Sequence, residues 1–125
     1  MPRAIAIKIG KIELTGELSD SAAGSAMAEA LPIECQWSRW GDEYYGTTKP
    51  AFGEYPGPTT DLMEVGDLGY HGPNGWFCLF FGPTPASRAK EPRAAVPLLK
   101  VGRVKGDWAA VKALPDSVKA TVRAL

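Results

Sequence analysis

Apolar and polar residues alternate along much of this chain, and the alternation predicts a protein built mainly from β-strands. Near the N-terminus, Ile5, Ile7 and Ile9 are separated by single residues, so a strand there would turn one apolar face inward. The same alternation returns several times, and Gly or Pro separates the segments. We predict about eight strands, at residues 4–9, 12–15, 33–38, 42–46, 66–71, 76–81, 98–104 and 118–124.

Residues 66–85 give the strongest local prediction, a β-hairpin. Asn74-Gly75 stands between two apolar runs, and this pair favours a type I′ turn, in which both central residues have positive φ. Residues 76–81 form an unbroken apolar run, which is typical of a strand buried on both faces. We therefore expect this hairpin to lie at the centre of the sheet.

Two helices are predicted besides the strands. Small apolar residues recur at helical spacing over residues 22–30, and Ser19 or Asp20 can cap the N-terminus of that helix. Asp107 can cap a second, short helix over residues 108–114. A proline follows the end of each helix.

Proline and glycine predict two long loops, at residues 49–60 and 83–97, with a short connecting segment at 61–65. The strands are mostly antiparallel, and this many need closure to hide their edges. The sequence thus predicts a mainly β protein with one domain over residues 1–125. Its expected architecture is a closed eight-stranded barrel with two short helices.

The charge balance excludes several classes of partner. Fourteen basic residues offset fourteen acidic ones, and no cluster of Lys or Arg is longer than a dipeptide. Nucleic acids and anionic membrane surfaces are therefore not expected partners. No segment has the roughly 18 consecutive apolar residues of a membrane span.

Two cysteines bear on the compartment. Cys35 and Cys78 both fall in apolar strand patterns, so we interpret them as small buried hydrophobic residues with free thiols. The N-terminal segment resembles a strand and not a signal peptide. We expect a cytoplasmic protein with no cofactor. We also expect no metal, because Cys35, Cys78 and His71 are spread singly along the chain.

Four short motifs together resemble a small family of bacterial and archaeal proteins with a cyclophilin-like fold and unknown function. They are Trp40-Gly41-Asp42-Glu43-Tyr44-Tyr45, Gly66-Asp67-Leu68-Gly69-Tyr70, Leu79-Phe80-Phe81-Gly82-Pro83-Thr84-Pro85 and the closing segment 118–123. The resemblance covers nearly the whole chain. It implies an eight-stranded barrel closed by helices at its ends, and it implies no established activity.

The chain is also distantly similar to the cyclophilin-type proline isomerases. Residues 72–75 and Phe80-Phe81 resemble the central hairpin of those enzymes, but Leu79 stands where the resemblance would place a glutamine. Their Phe-His-Arg segment has no counterpart, and the residues flanking Arg39 do not match it. Without that arginine, nothing evident lowers the barrier of roughly 18–20 kcal/mol to amide rotation. We therefore expect no efficient proline isomerase activity.

Aromatic residues and carboxylates suggest a candidate binding pocket. Its predicted residues are Trp40, Glu43, Tyr45, Asp67, Tyr70 and Phe81. Aromatic walls with a carboxylate suit a small, partly apolar ligand that carries a positive or hydrogen-bond-donating group. Glu43 and Tyr45 would share one face of a strand.

Each of these residues also has a purely structural interpretation. The aromatic residues can be core, Glu43 can accept from a backbone donor or pair with an arginine, and Asp67 can order a turn. Asp67 can alternatively face Glu43 as an acid/base pair. His71, the single histidine, is interpreted as a hydrogen-bonded residue near the turn.

Three functional classes remain open from the sequence. The first is a binding module for a small molecule or a proline-containing peptide. The second is an enzyme that uses the same pocket, by amide isomerisation or carboxylate acid/base chemistry. The third is an interaction protein that docks through the two proline-rich loops. We favour the binding module. The sequence does not indicate an oligomeric state.

Overall fold

The computed structural model describes residues 2–125. This part of the chain holds nine strands and two helices. They are β1 (Arg3–Ile9), β2 (Ile12–Leu18), α1 (Ala22–Glu29), β3 (Ile33–Arg39), β4 (Glu43–Lys49), β5 (Thr59–Leu62), β6 (Asp67–His71), β7 (Trp76–Phe80), β8 (Arg93–Lys105), α2 (Trp108–Lys112) and β9 (Ser117–Ala124).

Eight of the strands close into an antiparallel barrel. Their order is β2-β1-β9-β3-β4-β7-β6-β8, and β8 pairs back with β2 from Thr15↔Lys105 to Leu18↔Gly102. The ninth strand, β5, pairs only with β8 and lies outside the closed ring. Closure removes the free edges that an open sheet of this size would leave. The predicted closed eight-stranded barrel is confirmed.

The barrel interior is filled by one face of each strand. Ile5, Ile7 and Ile9 are buried there, as the period of two at the N-terminus predicts. Trp37 lies among the interior aromatic residues, with its ring 5.8 Å from that of Tyr44. Its indole N–H donates to the carbonyl of Phe77 at 2.9 Å. The polar end of this large ring is therefore buried together with a hydrogen-bond partner.

The central strand β7 is buried on both faces, as predicted. Phe77 and Leu79 point into the barrel, whereas Cys78 and Phe80 point outwards into a second apolar cluster. We call this second group the outer cluster. Its buried members are Met63, Cys78, Phe80, Ala94 and Leu98. The outer cluster exists because β5 and the first half of β8 cover this side of the barrel.

The β6–β7 turn differs from the type I′ turn predicted at Asn74-Gly75. His71 pairs with Trp76, so the connection has four residues, 72–75. Gly75 has φ +67°, but no non-glycine residue in the described chain has positive φ. Pro73 accounts for the difference, because its ring fixes φ near −65° and favours a type I turn closed by glycine. The hairpin is confirmed, whereas the prediction of a type I′ turn was wrong.

The second predicted loop, 83–97, was wrong from Arg93 onwards, because β8 begins there. Strand β5 was also missed. Strands β5 and β8 pair through Thr60↔Leu98 and Leu62↔Arg93. Residues 94–97 of β8 therefore bulge out opposite the single residue Asp61 of β5. Pro97 lies in that bulge, where no ladder N–H is needed, and a proline is tolerated there.

The helix caps were predicted correctly for α2 and wrongly for α1. Asp107 accepts a hydrogen bond from the backbone N–H of Ala110 at 3.2 Å. At α1, Ser21 is the N-cap, and its hydroxyl accepts from the N–H of Gly24 at 3.2 Å. Within residues 2–125, neither helix has the length and apolar character needed to cross a membrane.

Candidate functional site

A pocket of about 300 Å³ opens on the outer cluster, between the barrel wall and the first half of β8. We call it the outer pocket. Its lining residues are Trp40, Glu43, Tyr45, Trp76, Cys78, Ala94, Ala95, Val96 and Leu98. Strands β4 and β7 form its floor through the register Glu43↔Phe80 and Tyr45↔Cys78. Residues opposite each other in an antiparallel pair face the same side, so this register brings the floor residues together.

Three aromatic rings border the outer pocket. Tyr45 and Trp76 meet edge to face, with ring centroids 5.4 Å apart. Trp40 enters from the tight turn before β4, where its backbone N–H donates to the carbonyl of Glu43 at 2.8 Å. Gly41 allows that turn through its φ of +60°. The aromatic border is thus set by a turn and a cross-strand pair, both part of the rigid barrel.

Glu43 is the unusual member of the pocket. Its side chain is buried, with 5% of the residue exposed, and Oε1 has no hydrogen-bond partner in residues 2–125. Burial raises the pKa of Glu43 to about 8, and a hydrogen-bonding contribution from the Cys78 thiol lowers it in part. The carboxyl group is therefore mostly protonated at neutral pH. A buried polar atom without a partner is uncommon and costs free energy.

The β8 side of the pocket is held by a polar network. Arg93 donates to Asp61 at 3.1 Å and to Glu91 at 3.0 Å, and its carbonyl accepts from the Thr84 hydroxyl. Glu91 also accepts from the backbone N–H of Arg88 at 2.8 Å. These bonds hold the first residue of β8 to β5 and to the preceding loop, next to the β8 wall of the outer pocket.

Only three of the six predicted pocket residues lie together in this pocket: Trp40, Glu43 and Tyr45. Glu43 and Tyr45 lie on one face of β4, as the alternation of side chains along a strand predicts. The turn residue Trp40 joins them because Gly41 folds the chain back over the strand.

Asp67 does not face Glu43. Phe80 lies between them, on the strand that pairs with both β4 and β6, so their backbones are about 10 Å apart at two strand spacings. The Asp67 carboxylate accepts from the N–H of Glu64 at 2.8 Å and pairs with Lys100 at 3.1 Å. It therefore orders the turn, as its structural interpretation has it, and the alternative acid/base pair with Glu43 is not formed.

Tyr70 and Phe81 belong to the barrel interior and not to the pocket. The Tyr70 hydroxyl donates to the carbonyls of Phe52 at 2.8 Å and Gly53 at 2.6 Å. Phe81 follows directly after β7, and its ring packs 5.5 Å from that of Tyr44 in the barrel interior, whereas Phe80 belongs to the outer cluster. The structure therefore does not bring these two rings together with Trp40, Glu43 and Tyr45.

Arg39 does not act as a free cation beside a groove. It donates to the carbonyl of Gly41 at 2.8 Å, the carbonyl of Lys112 at 2.7 Å and the carboxylate of Asp42 at 2.9 Å. Its guanidinium also stacks over the ring of Phe81 at 5.1 Å. These contacts tie β3 to α2, which is a structural role.

The outer pocket also includes Trp76, Cys78 and part of the β8 segment 94–98, none of which is predicted from the sequence. A signal for the first two existed, because Trp76, Cys78 and Phe80 alternate within the apolar run of β7. The β8 segment carries no such signal, since Pro97 indicates a loop. The ring centroids of His71 and Trp76 are 5.7 Å apart. The buried Nδ1 of His71 has no hydrogen-bond partner in residues 2–125. Within residues 2–125, no group of three or more His, Cys, Asp or Glu side chains could hold a metal ion.

The closed antiparallel barrel with few helices defines a class of small β-barrel proteins, and comparison with known proteins narrows it. The family described as Cyclophilin-like matches residues 3–123. The chain therefore belongs to the cyclophilin-like family. Its structure is similar to the solution structure of a hypothetical protein from Archaeoglobus fulgidus, with a TM-score of 0.77 and 32% identity. That match covers 99% of this chain and 95% of the archaeal one. No curated protein matches the chain in sequence.

Proposed function

We propose that this cyclophilin-like protein is a binding module that holds a small, partly apolar molecule in the outer pocket. The observation that carries the proposal is the unpaired Oε1 of buried Glu43 among three aromatic rings. A ligand with an N–H or O–H donor would satisfy that atom and cover the apolar lining.

The size and lining of the pocket support a small ligand. Its volume of about 300 Å³ is at the lower end of the range for small-molecule sites. Apolar side chains with a single convergent polar group are typical of such sites. A peptide would place one side chain in the pocket and leave the rest of its length outside, so the size favours a free small molecule.

The proposal includes no efficient proline isomerase activity. In the cyclophilin-type isomerases that the chain resembles, an arginine binds the proline amide, and no Lys or Arg lines the outer pocket among the described residues. Arg39, the nearest sequence equivalent, is engaged by backbone carbonyls and Asp42. We also propose a cytoplasmic location, which the two free cysteines support.

A fragment screen followed by protein NMR tests the proposal. We expect ligands to shift the indole N–H signals of Trp40 and Trp76, which line the pocket, and to leave that of Trp37 in the barrel interior unchanged. Ala95→Phe narrows the pocket and should abolish the shifts. Ala109→Phe, on the exposed face of α2, is the matched control and should retain them. If no fragment shifts the pocket signals, or if Ala95→Phe has no effect, the proposal is wrong.

A proline isomerase assay tests the proposal that the protein has no efficient isomerase activity. The rate of isomerisation of a proline-containing test peptide should not rise above the uncatalysed rate at high protein concentration. Acceleration that disappears in Arg39→Ala would overturn this part of the proposal.

A further inference from the structure

We propose that the ligand of the outer pocket is an organic monocation, an amine with an apolar body whose ammonium group forms an ion pair with Glu43. This inference rests on the proposed function and adds the chemical class of the ligand.

The charge distribution around the pocket favours a cation. Glu43 is the only carboxyl group among the lining residues, which include no Lys or Arg, and it takes part in none of the ion pairs of residues 2–125. Two basic groups on nearby strands are already engaged. Arg39 pairs with Asp42, and Lys100 pairs with Asp67. An ionised Glu43 would therefore lack any protein counter-ion, and an anionic ligand would be repelled.

The aromatic border favours the same ligand. The faces of Trp and Tyr rings attract a cation, most strongly when the cation is withdrawn from water. Trp40, Tyr45 and Trp76 supply three such rings around one carboxyl group. An ammonium group in the pocket would thus find both a formal counter-charge and aromatic faces.

The hydrogen-bonding state of Glu43 narrows the class further. Its free Oε1 is an acceptor, so a primary or secondary amine can donate to it, whereas a quaternary ammonium group has no N–H. The β8 wall, which includes Ala94, Val96 and Leu98, offers only apolar contacts to the rest of the ligand. A second charge on the ligand would be desolvated there without a partner, which favours a monocation.

Binding of such a cation should release a proton. Ordinary Glu side chains are ionised at neutral pH, but burial holds the pKa of Glu43 at about 8. The titratable groups that face it are the Cys78 thiol on β7 and the Tyr45 hydroxyl on its own strand, and the β8 wall has none. An ion pair with the ammonium group requires the carboxylate, so the proton of Glu43 must leave. The affinity should then rise about tenfold from pH 6 to pH 7 and level off above pH 8.

The experiment compares three probes by titration calorimetry on the intact chain. They are 2-phenylethylamine, neutral 2-phenylethanol and the quaternary trimethyl(2-phenylethyl)ammonium ion. We expect 2-phenylethylamine to bind at least tenfold more tightly than either of the others at pH 8. Its binding at pH 7 should release close to one proton, measured in buffers with different ionisation enthalpies.

Glu43→Gln removes the charge and keeps the shape of the side chain. In this variant the amine should lose at least tenfold in affinity and its pH dependence, whereas 2-phenylethanol should bind as before. Glu34→Gln, on an exposed residue of β3, is the control and should change neither.

Two results would overturn the inference. If 2-phenylethanol binds as tightly as the amine and Glu43→Gln changes neither affinity, the pocket binds neutral ligands, and the proposed binding function stands without the cation. If none of the probes binds at millimolar concentration, the inference is wrong, and the fragment screen decides separately whether the pocket binds anything else.

Discussion

Replacing Glu43 by glutamine should make the fold more stable at neutral and alkaline pH, although it removes a native side chain. The carboxyl group has a pKa of about 8 in the folded protein and 4.5 as an isolated group. Between these values the folded state holds a proton that the unfolded state has released. The free energy of unfolding of the natural chain therefore falls as pH rises, by about 1.4 kcal/mol per pH unit. Between pH 5 and pH 8 the loss from this one group amounts to about 3 kcal/mol.

Urea unfolding, followed by tryptophan fluorescence at pH 5, 6, 7 and 8, measures this effect. Glu43→Gln should match the natural chain near pH 5 and exceed its stability by about 3 kcal/mol at pH 8. That difference is a large part of the 5–15 kcal/mol typical of a small domain. Glu34→Gln, in which the replaced residue is exposed, should follow the natural profile. Parallel pH profiles for Glu43→Gln and the natural chain would refute the reasoning, because they would mean that Glu43 ionises normally in the folded state.

Two further predictions concern the thiols and the network beside the pocket. Burial raises the pKa of Cys35 to about 12 and that of Cys78 well above its usual value. Neither thiol should therefore react with an aromatic disulfide reagent in the folded protein at pH 7.5, whereas both should react in denaturant. Rapid labelling of the folded protein would contradict this prediction. Hydrogen bonds from the Arg88 N–H and from Arg93 lower the pKa of Glu91 to about 2, so the stability contributed by this carboxylate is present above pH 4.5 and is lost as pH falls through 2. The amide shift of Arg88 in NMR spectra should titrate with a midpoint near 2, and a midpoint above 4 would show that these bonds are absent in solution.

Most of the barrel could be predicted from the sequence because its strands bury one face. Alternation at Ile5, Ile7 and Ile9 and at Val118, Ala120 and Val122 has a single physical solution, a strand with one side inward. The unbroken apolar run of β7, which is apolar on both faces of the strand, likewise indicates a second layer packed over it. What the sequence did not indicate was the covering element. Its segment contains Pro97, and only the bulge opposite β5 makes that proline acceptable within a strand.

The candidate site was predicted in part, for a reason of geometry. Glu43 and Tyr45 were placed together by counting residues along one strand. Tyr70 and Phe81 are aromatic, but aromatic character alone does not show which side of the barrel wall a ring faces. Applying the same count to β7 separates Phe80 from Phe81 and would have brought Cys78 into the site. The missing partner of Glu43 Oε1 could not be predicted from the sequence, because it depends on which polar groups the folded chain leaves within reach.

Strand β8 performs two tasks with different residues. Its first half borders the outer pocket and pairs with β5, whereas residues 99–105 pair with β6 and β2 and close the barrel. Substitutions at Ala94, Ala95 or Val96 therefore change the shape of the pocket without altering the hydrogen bonds of closure. Under the proposed function, related chains would differ in ligand preference at these positions while they keep the same barrel. Sequence variation among them should accordingly concentrate in the first half of this strand.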